Sequence, residues 1–184
     1  TLQWWIDWGD GSPEQVVAGS ASFVNHVFTD GPQTHTIVAR AADEDGDYRA
    51  IDSVTVRVEN VAPELPVGDV LSAQEGREFR LPLVVSDAGR DTLAAWQIDW
   101  GDGTVASNPN ATHFYADGPA EYQVTITLTD EDGSYMFGRR VTVADVIPQV
   151  ALDGVSEIHE GTAYRLRATA LDVASDAVQT WLVN

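Results

Sequence analysis

The stretch DWGDG occurs twice, at residues 7–11 and 99–103, and the register it sets runs on in both directions. HVFTDGP (26–32) aligns with HFYADGP (113–119), ADEDGD (42–47) with TDEDGS (129–134), and NVAPEL (60–65) with DVIPQV (145–150). QEGREFRL (74–81) aligns with HEGTAYRL (159–166), and AAWQID (94–99) with QTWLVN (179–184). A repeat of this length constrains the chain more than any composition, because each unit must close its own core. The offset falls from 92 to 87 between DWGDG and the histidine, then to 85 before the proline. Both changes lie in connections, where a repeated fold tolerates them.

Trp4, Trp96 and Trp181 share one phase. The repeat therefore divides the 184 residues into the back part of one copy (1–61), a complete copy (62–147) and the front part of a third (148–184).

Each copy reads as all-β. FRLPLVV (79–85), WQIDW (96–100), YQVTITL (122–128) and RVTVA (140–144) alternate apolar and polar positions. Period-two patterning between Gly, Asp and Pro punctuation marks half-buried strands, and short strands at this spacing build a sandwich. Trp4, Ile6 and Trp8 fall on one face, as do Trp96, Ile98 and Trp100. Tyr122, after GPAE, suits a tyrosine corner, with His35 in its place in the first copy.

WxIDWGDG, then His-x-Phe/Tyr, then Asp-Gly-x-x-x-Tyr-x-Val-x-Ile-x-Leu-x-Asp-x-Asp-Gly, resembles the polycystic-kidney-disease (PKD) type of immunoglobulin-like domain, in the divergent forms found in large bacterial surface and secreted proteins. The resemblance implies tandem seven-strand sandwiches that serve as spacers, adhesion modules or accessories to enzymes. It also implies that calcium binding, known in some similar domains, is worth seeking here.

Composition narrows the function classes. The net charge is −19, with 29 acids against 10 bases, so a nucleic-acid partner is not expected. There is no cysteine, and every base is arginine, which removes disulfides, thiolate chemistry, Schiff bases and lysine cross-links. No apolar run approaches a membrane span of about 20 residues. No Gly-x-Ser-x-Gly elbow and no metal-ligand histidine spacing occurs, and the acids recur in turns once per copy. The chain is expected not to be an enzyme.

The acidic turns are the candidate sites. Asp43, Asp45 and Asp47 form one loop and Asp130 and Asp132 its counterpart. Sandwich topology brings SDAGRDT, with Asp87 and Asp91, and the entry segment at Asn60 to the same end. These eight residues are candidate Ca²⁺ ligands, since calcium takes six to eight hard oxygens. The competing reading is a solvated acidic hairpin. Asp10 and Asp102 are expected to shape turns, His26 and His113 to be packed and hydrogen-bonded, and Glu75 to belong to a turn beside Gly76. Trp5, opposite the apolar face, is a candidate sugar-stacking platform or partner contact; the competing reading is a side chain covered by a neighbouring strand or by the long insert.

The sequence thus points to a segment of an extracellular array, stalk, adhesin or filament, with calcium at domain junctions. The alternative is a carbohydrate-binding or accessory module of a secreted hydrolase. The expected partners are adjacent repeats or neighbouring copies, head to tail, with residues 148–184 completing a neighbour's first copy; surface glycans come second.

Overall fold

In the computed structural model, residues 2–50, 52–66, 68 and 70–173 are described, and no helix forms among them. The strand expected at 179–184 lies outside the described residues. The chain forms two compact units. The first comprises residues 1–64, 85–94 and 129–134, and the second 65–84, 95–128 and 135–184.

In the first unit the strands are β1 (Gln3–Asp7), β2 (Gln15–Ala18), β3 (Gln33–Ala42), β4 (Asp47–Arg49) and β5 (Val54–Val58). The sheet order is β2-β1-β3-β4, and β5 also pairs with β3. All these pairings are antiparallel, with Trp4 opposite Val17 on one side and Ala41 on the other. Trp8 and His35 are buried, whereas Trp4 and Ile6 are half-buried.

The second unit contains most of β6 (Val70–Gln74), β7 (Phe79–Arg80), β8 (Ala95–Asp99), β9 (Val105–Ala106), β10 (Thr112–His113), β11 (Ala120–Thr129) and β12 (Ser134–Ala144). Its main sheet runs β6-β12-β11-β8-β9, with β6 parallel to β12, and a second small sheet joins β7 to β10. A hairpin of β13 (Gln149–Asp153) and β14 (Arg167–Leu171) follows.

The alternation read from the sequence sets this core. Ile98, Val124, Ile126, Leu128, Val141 and Val143 are fully buried, while the intervening positions face outward or lie half-buried. Phe79 meets Trp100 edge-on, with ring centroids 6.3 Å apart, and lies 6.0 Å from Tyr115. β8, β9 and β11 repeat β1, β2 and β3, and the single strand β12 takes the place of β4 and β5. Ile98 is fully enclosed and its counterpart Ile6 is not, because the first unit holds no counterpart of β6 and β7 among its described residues.

Arg139 is buried in the second unit, where its guanidinium donates to the carbonyls of Leu65 and Gly138. Glu75 is fully buried there too. One carboxylate oxygen accepts from the Gly118 amide and the other from the Val146 amide at 2.7 Å. The sequence reading placed Glu75 in a turn, and the turn is present, with Gly76 at φ 61°. The burial was not legible, because its partners lie 43 and 71 residues away.

Candidate functional site

The paired turns recur with the same bonds in both copies. Asp7 and Asp99 each accept from the amide two residues on, at 2.9 Å, which turns the chain at the end of β1 and β8. Asp10 then accepts from the Ser12 amide and hydroxyl, and Asp102 from those of Thr104. The remaining oxygen of each takes a histidine, His26 Nε2 or His113 Nε2, in both cases at 2.7 Å. His26 stacks on Trp8 and His113 on Trp100, at 4.5 and 4.8 Å. The Ser12 hydroxyl, His26 and the Ser12 amide hold the Asp10 carboxyl far below the ordinary range. Burial pushes Asp102 up, but the Thr104 and His113 hydrogen bonds outweigh it and the net shift is downward.

The expected tyrosine corner takes a different form. Tyr122 stacks on Tyr115 at 4.4 Å, and Tyr115, through its hydroxyl, donates to the Trp100 carbonyl. Burial, with Asp102 and Tyr122 nearby, pushes the Tyr115 hydroxyl above its usual pKa. In the first copy Phe28 replaces Tyr115 and has no hydroxyl. There His35 Nδ1 donates to the Gly9 carbonyl at 3.0 Å instead.

Among the candidate metal ligands, the structure brings Asp87, Asp91 and Asp130 together in the first unit, with one oxygen of each within 4.8 Å of the others. Asp91 also groups with Asp132 and with Asp30, which is not among the ligands expected from the sequence. Its only signal was its place in the repeated Asp-Gly-Pro. Asn60 lines a cleft of about 220 Å³ beside Asp91, Gly89 and Asp30. Asp43, Asp45 and Asp47 join no such group among the described residues. Asp43 caps the Asp45 and Gly46 amides, and Asp47 lies 3.5 Å from Arg40.

The loops around the cluster are locally fixed. Asp130 Oδ1 accepts from the Asp132 and Gly133 amides at 2.8 Å, as Asp43 does in its own loop. Glu131 accepts from the Thr92 amide at 2.8 Å, and the Arg90 amide donates to the Thr29 carbonyl at 2.9 Å. Asp130 is only 6% exposed. Asp87 Oδ2, Asp91 Oδ1 and Asp130 Oδ2 are shielded from water and accept no hydrogen bond. Burial, then repulsion from Asp87, Asp132, Glu131 and Asp130, raises the Asp91 carboxyl. Burial and the charges of Asp130, Asp30, Glu131 and Asp87 raise Asp132. Such a cluster can accept a hard cation or a proton, and it offers no nucleophile–base pair.

Trp5 is half-buried, and the Arg40 guanidinium lies over its ring at 4.3 Å from the centroid. One face of that indole is therefore covered. No helix among the described residues is long and apolar enough to cross a membrane.

A protein-family model described as PKD domain matches residues 60–143. No curated protein matches the sequence. Among solved structures, the fibronectin(III)-like modules of Clostridium thermocellum CbhA align over 78% of this chain and 78% of theirs, at 15% identity and TM-score 0.35. Tandem immunoglobulin domains of titin align over 79% and 82%, at 13% identity and TM-score 0.36. The three N-terminal domains of the Hoc outer capsid protein of bacteriophage RB49 align over 92% and 59%, at 11% identity and TM-score 0.38. Residues 60–143 thus match the PKD domain, a family whose members are generally non-catalytic and typically occur in extracellular proteins, and the described residues are all-β.

Proposed function

We propose that this chain is a non-catalytic structural segment of an extracellular array, a stalk, adhesin or filament, divided as 1–61, 62–147 and 148–184. The observation that carries the reading is the duplicated cassette of Asp10 with His26 and Asp102 with His113. These are the residues most suited to acid–base chemistry, and both pairs are spent on holding a turn against a tryptophan. A catalytic pair has no need to recur once per copy.

The proposed partners are adjacent repeats, in the same polypeptide or a neighbouring copy. Leu152, Tyr164 and Leu166 near the β13–β14 hairpin are exposed. By the repeat, Tyr164 and Leu166 correspond to Phe79 and Leu81, which are buried in the complete copy. In head-to-tail assembly the WWIDW strand (4–8) of a neighbouring copy is the proposed cover, as WQIDW covers Phe79 in the complete copy. Electron microscopy of the native material tests the reading. A filament or stalk with an axial repeat of roughly 70–80 Å, two sandwiches long, is expected. Particles without an axial repeat would count against it. Head-to-tail assembly predicts self-association that falls on dilution; a monomer at every concentration would exclude it.

The second reading, a glycan-binding accessory module, rests on Trp5. It requires glycan-array binding that Trp5→Ala abolishes. Arg40 over the ring leaves less aromatic surface for a sugar, which favours the structural reading.

A further inference from the structure

We propose that Asp87, Asp91 and Asp130 form a calcium site whose open side is completed by Asp30 and Asp132. The inference stands independently of the array role.

Three observations carry it. The first is convergence: one oxygen from each of Asp87, Asp91 and Asp130 lies within 4.8 Å of the other two. Oxygens on opposite sides of one calcium ion, bound at about 2.3–2.6 Å, lie roughly that far apart. The second is orphaned polarity. Each of the three residues has an oxygen removed from water with no hydrogen-bond donor, and Asp130 is itself more than nine-tenths buried. A carboxylate oxygen held from water without a donor is unfavourable, so three together call for a counter-charge. No described arginine forms an ion pair with any of them. The third is division of labour within Asp130. Oδ1 is committed to the Asp132 and Gly133 amides, which fixes the carboxylate and leaves Oδ2 free to act as a ligand.

The donor set selects the ion. The cluster is all carboxylate, without histidine, and the chain has no cysteine, so soft and borderline metals are poorly served. Asp91 belongs to both acid groups and is the central ligand. The cleft beside it leaves room for waters to complete the shell. The set draws on three stretches of sequence: Asp30, the 87–91 loop and the 130–132 loop. An ion there pins three loops with one contact. The equivalent loop at 43–47 has the same turn but no converging acids among the described residues, and is assigned no ion.

The test is thermal melting and calorimetric titration of the full chain, stripped of metal and then given calcium alone. Saturating calcium is expected to raise Tm by several degrees. Asp130→Asn keeps Oδ1 as the turn acceptor and replaces Oδ2, so it should fold. It and Asp91→Asn are each expected to weaken calcium binding at least tenfold. Without metal, both variants are expected to melt at or above the unaltered chain, because each removes a like charge. Asp43→Asn is expected to leave the calcium response unchanged. The proposal is overturned if calcium neither binds nor shifts Tm. It is equally overturned if both cluster variants respond to calcium as the unaltered chain does, or if both simply lower the metal-free Tm and leave calcium binding intact, which would mark a structural role only.

Discussion

His113 Nε2 sits 2.7 Å from Asp102 Oδ2 while its ring lies at 12° to the Trp100 indole, and His26, Asp10 and Trp8 repeat the arrangement at 10°. One side chain thus links a turn carboxylate to the aromatic core. His113→Ala removes both contacts. It is expected to destabilise the complete copy by about 2–3 kcal/mol, from a hydrogen bond to a charged group plus lost ring packing. Urea denaturation followed by tryptophan fluorescence measures it. A loss below about 0.5 kcal/mol, the range of an ordinary surface substitution, would show the couple to be incidental.

The same couples set an acid limit. Asp10 and Asp102 are held below the ordinary carboxylate value of 3.8 in the folded chain. A depressed folded pKa stabilises the fold fully above the unfolded value, and that contribution is lost as pH falls through the folded value. Stability is therefore expected to drop below about pH 4. Asp102→Asn is expected to flatten that acid limb relative to the unaltered chain, measured as Tm against pH. An identical slope in the variant would contradict the assignment.

Glu75 satisfies two amides from different segments, and its replacement should show it. Glu75→Ala leaves both buried donors unpaired, at about 1–3 kcal/mol each. Glu75→Gln keeps one acceptor but turns an amide group toward the second N–H, so it is expected to lose nearly as much as alanine. Equilibrium unfolding of the two variants side by side checks this; a harmless Gln would mean that one of the two bonds is dispensable.

Two glycines of one turn separate steric clash from backbone strain. Gly101 has φ 82°, and an added Cβ would stand 2.6 Å from the Gln123 carbonyl oxygen. Gly103 has φ 92° but open space around the added carbon. Gly103→Ala is expected to cost about 1–2 kcal/mol from the left-handed conformation alone. Gly101→Ala should cost clearly more, because main chain must also move. Equal losses would show that the Gln123 contact relaxes freely.

The repeat and the alternating strands were legible because both are local: Ile98, Val124 and Ile126 fall inside by period alone. Asp10 and Asp102 were readable as turns for the same reason. Their histidine partners are readable as packed and hydrogen-bonded, but the carboxylates they bond are not, since that depends on where distant segments meet. The acid cluster was half legible. Loop topology predicted that Asp87, Asp91 and Asp130 would meet, and they do. It also admits Asp43, Asp45 and Asp47, whose loop has the same sequence pattern but joins no acid group among the described residues. Asp30 is not legible as a ligand because its Asp-Gly-Pro setting reads as an ordinary turn. Which group covers Trp5 is not legible locally, because Arg40, which lies over one face of the indole, is 35 positions on.

The parallel pairing of β6 with β12 has a mechanical consequence. From Val70 beside Arg140 to Gln74 beside Ala144, the strand near the start of the complete copy and the strand near its end run in the same direction. Tension applied to the chain on either side of the copy draws these two strands past each other along their length. Their hydrogen bonds are then loaded together in shear, rather than peeled one at a time as in a hairpin pulled open. Resistance to a steady pull depends on the height of that rupture barrier and not on the equilibrium stability of the sandwich. A copy of modest melting temperature can thus be a strong link in tension.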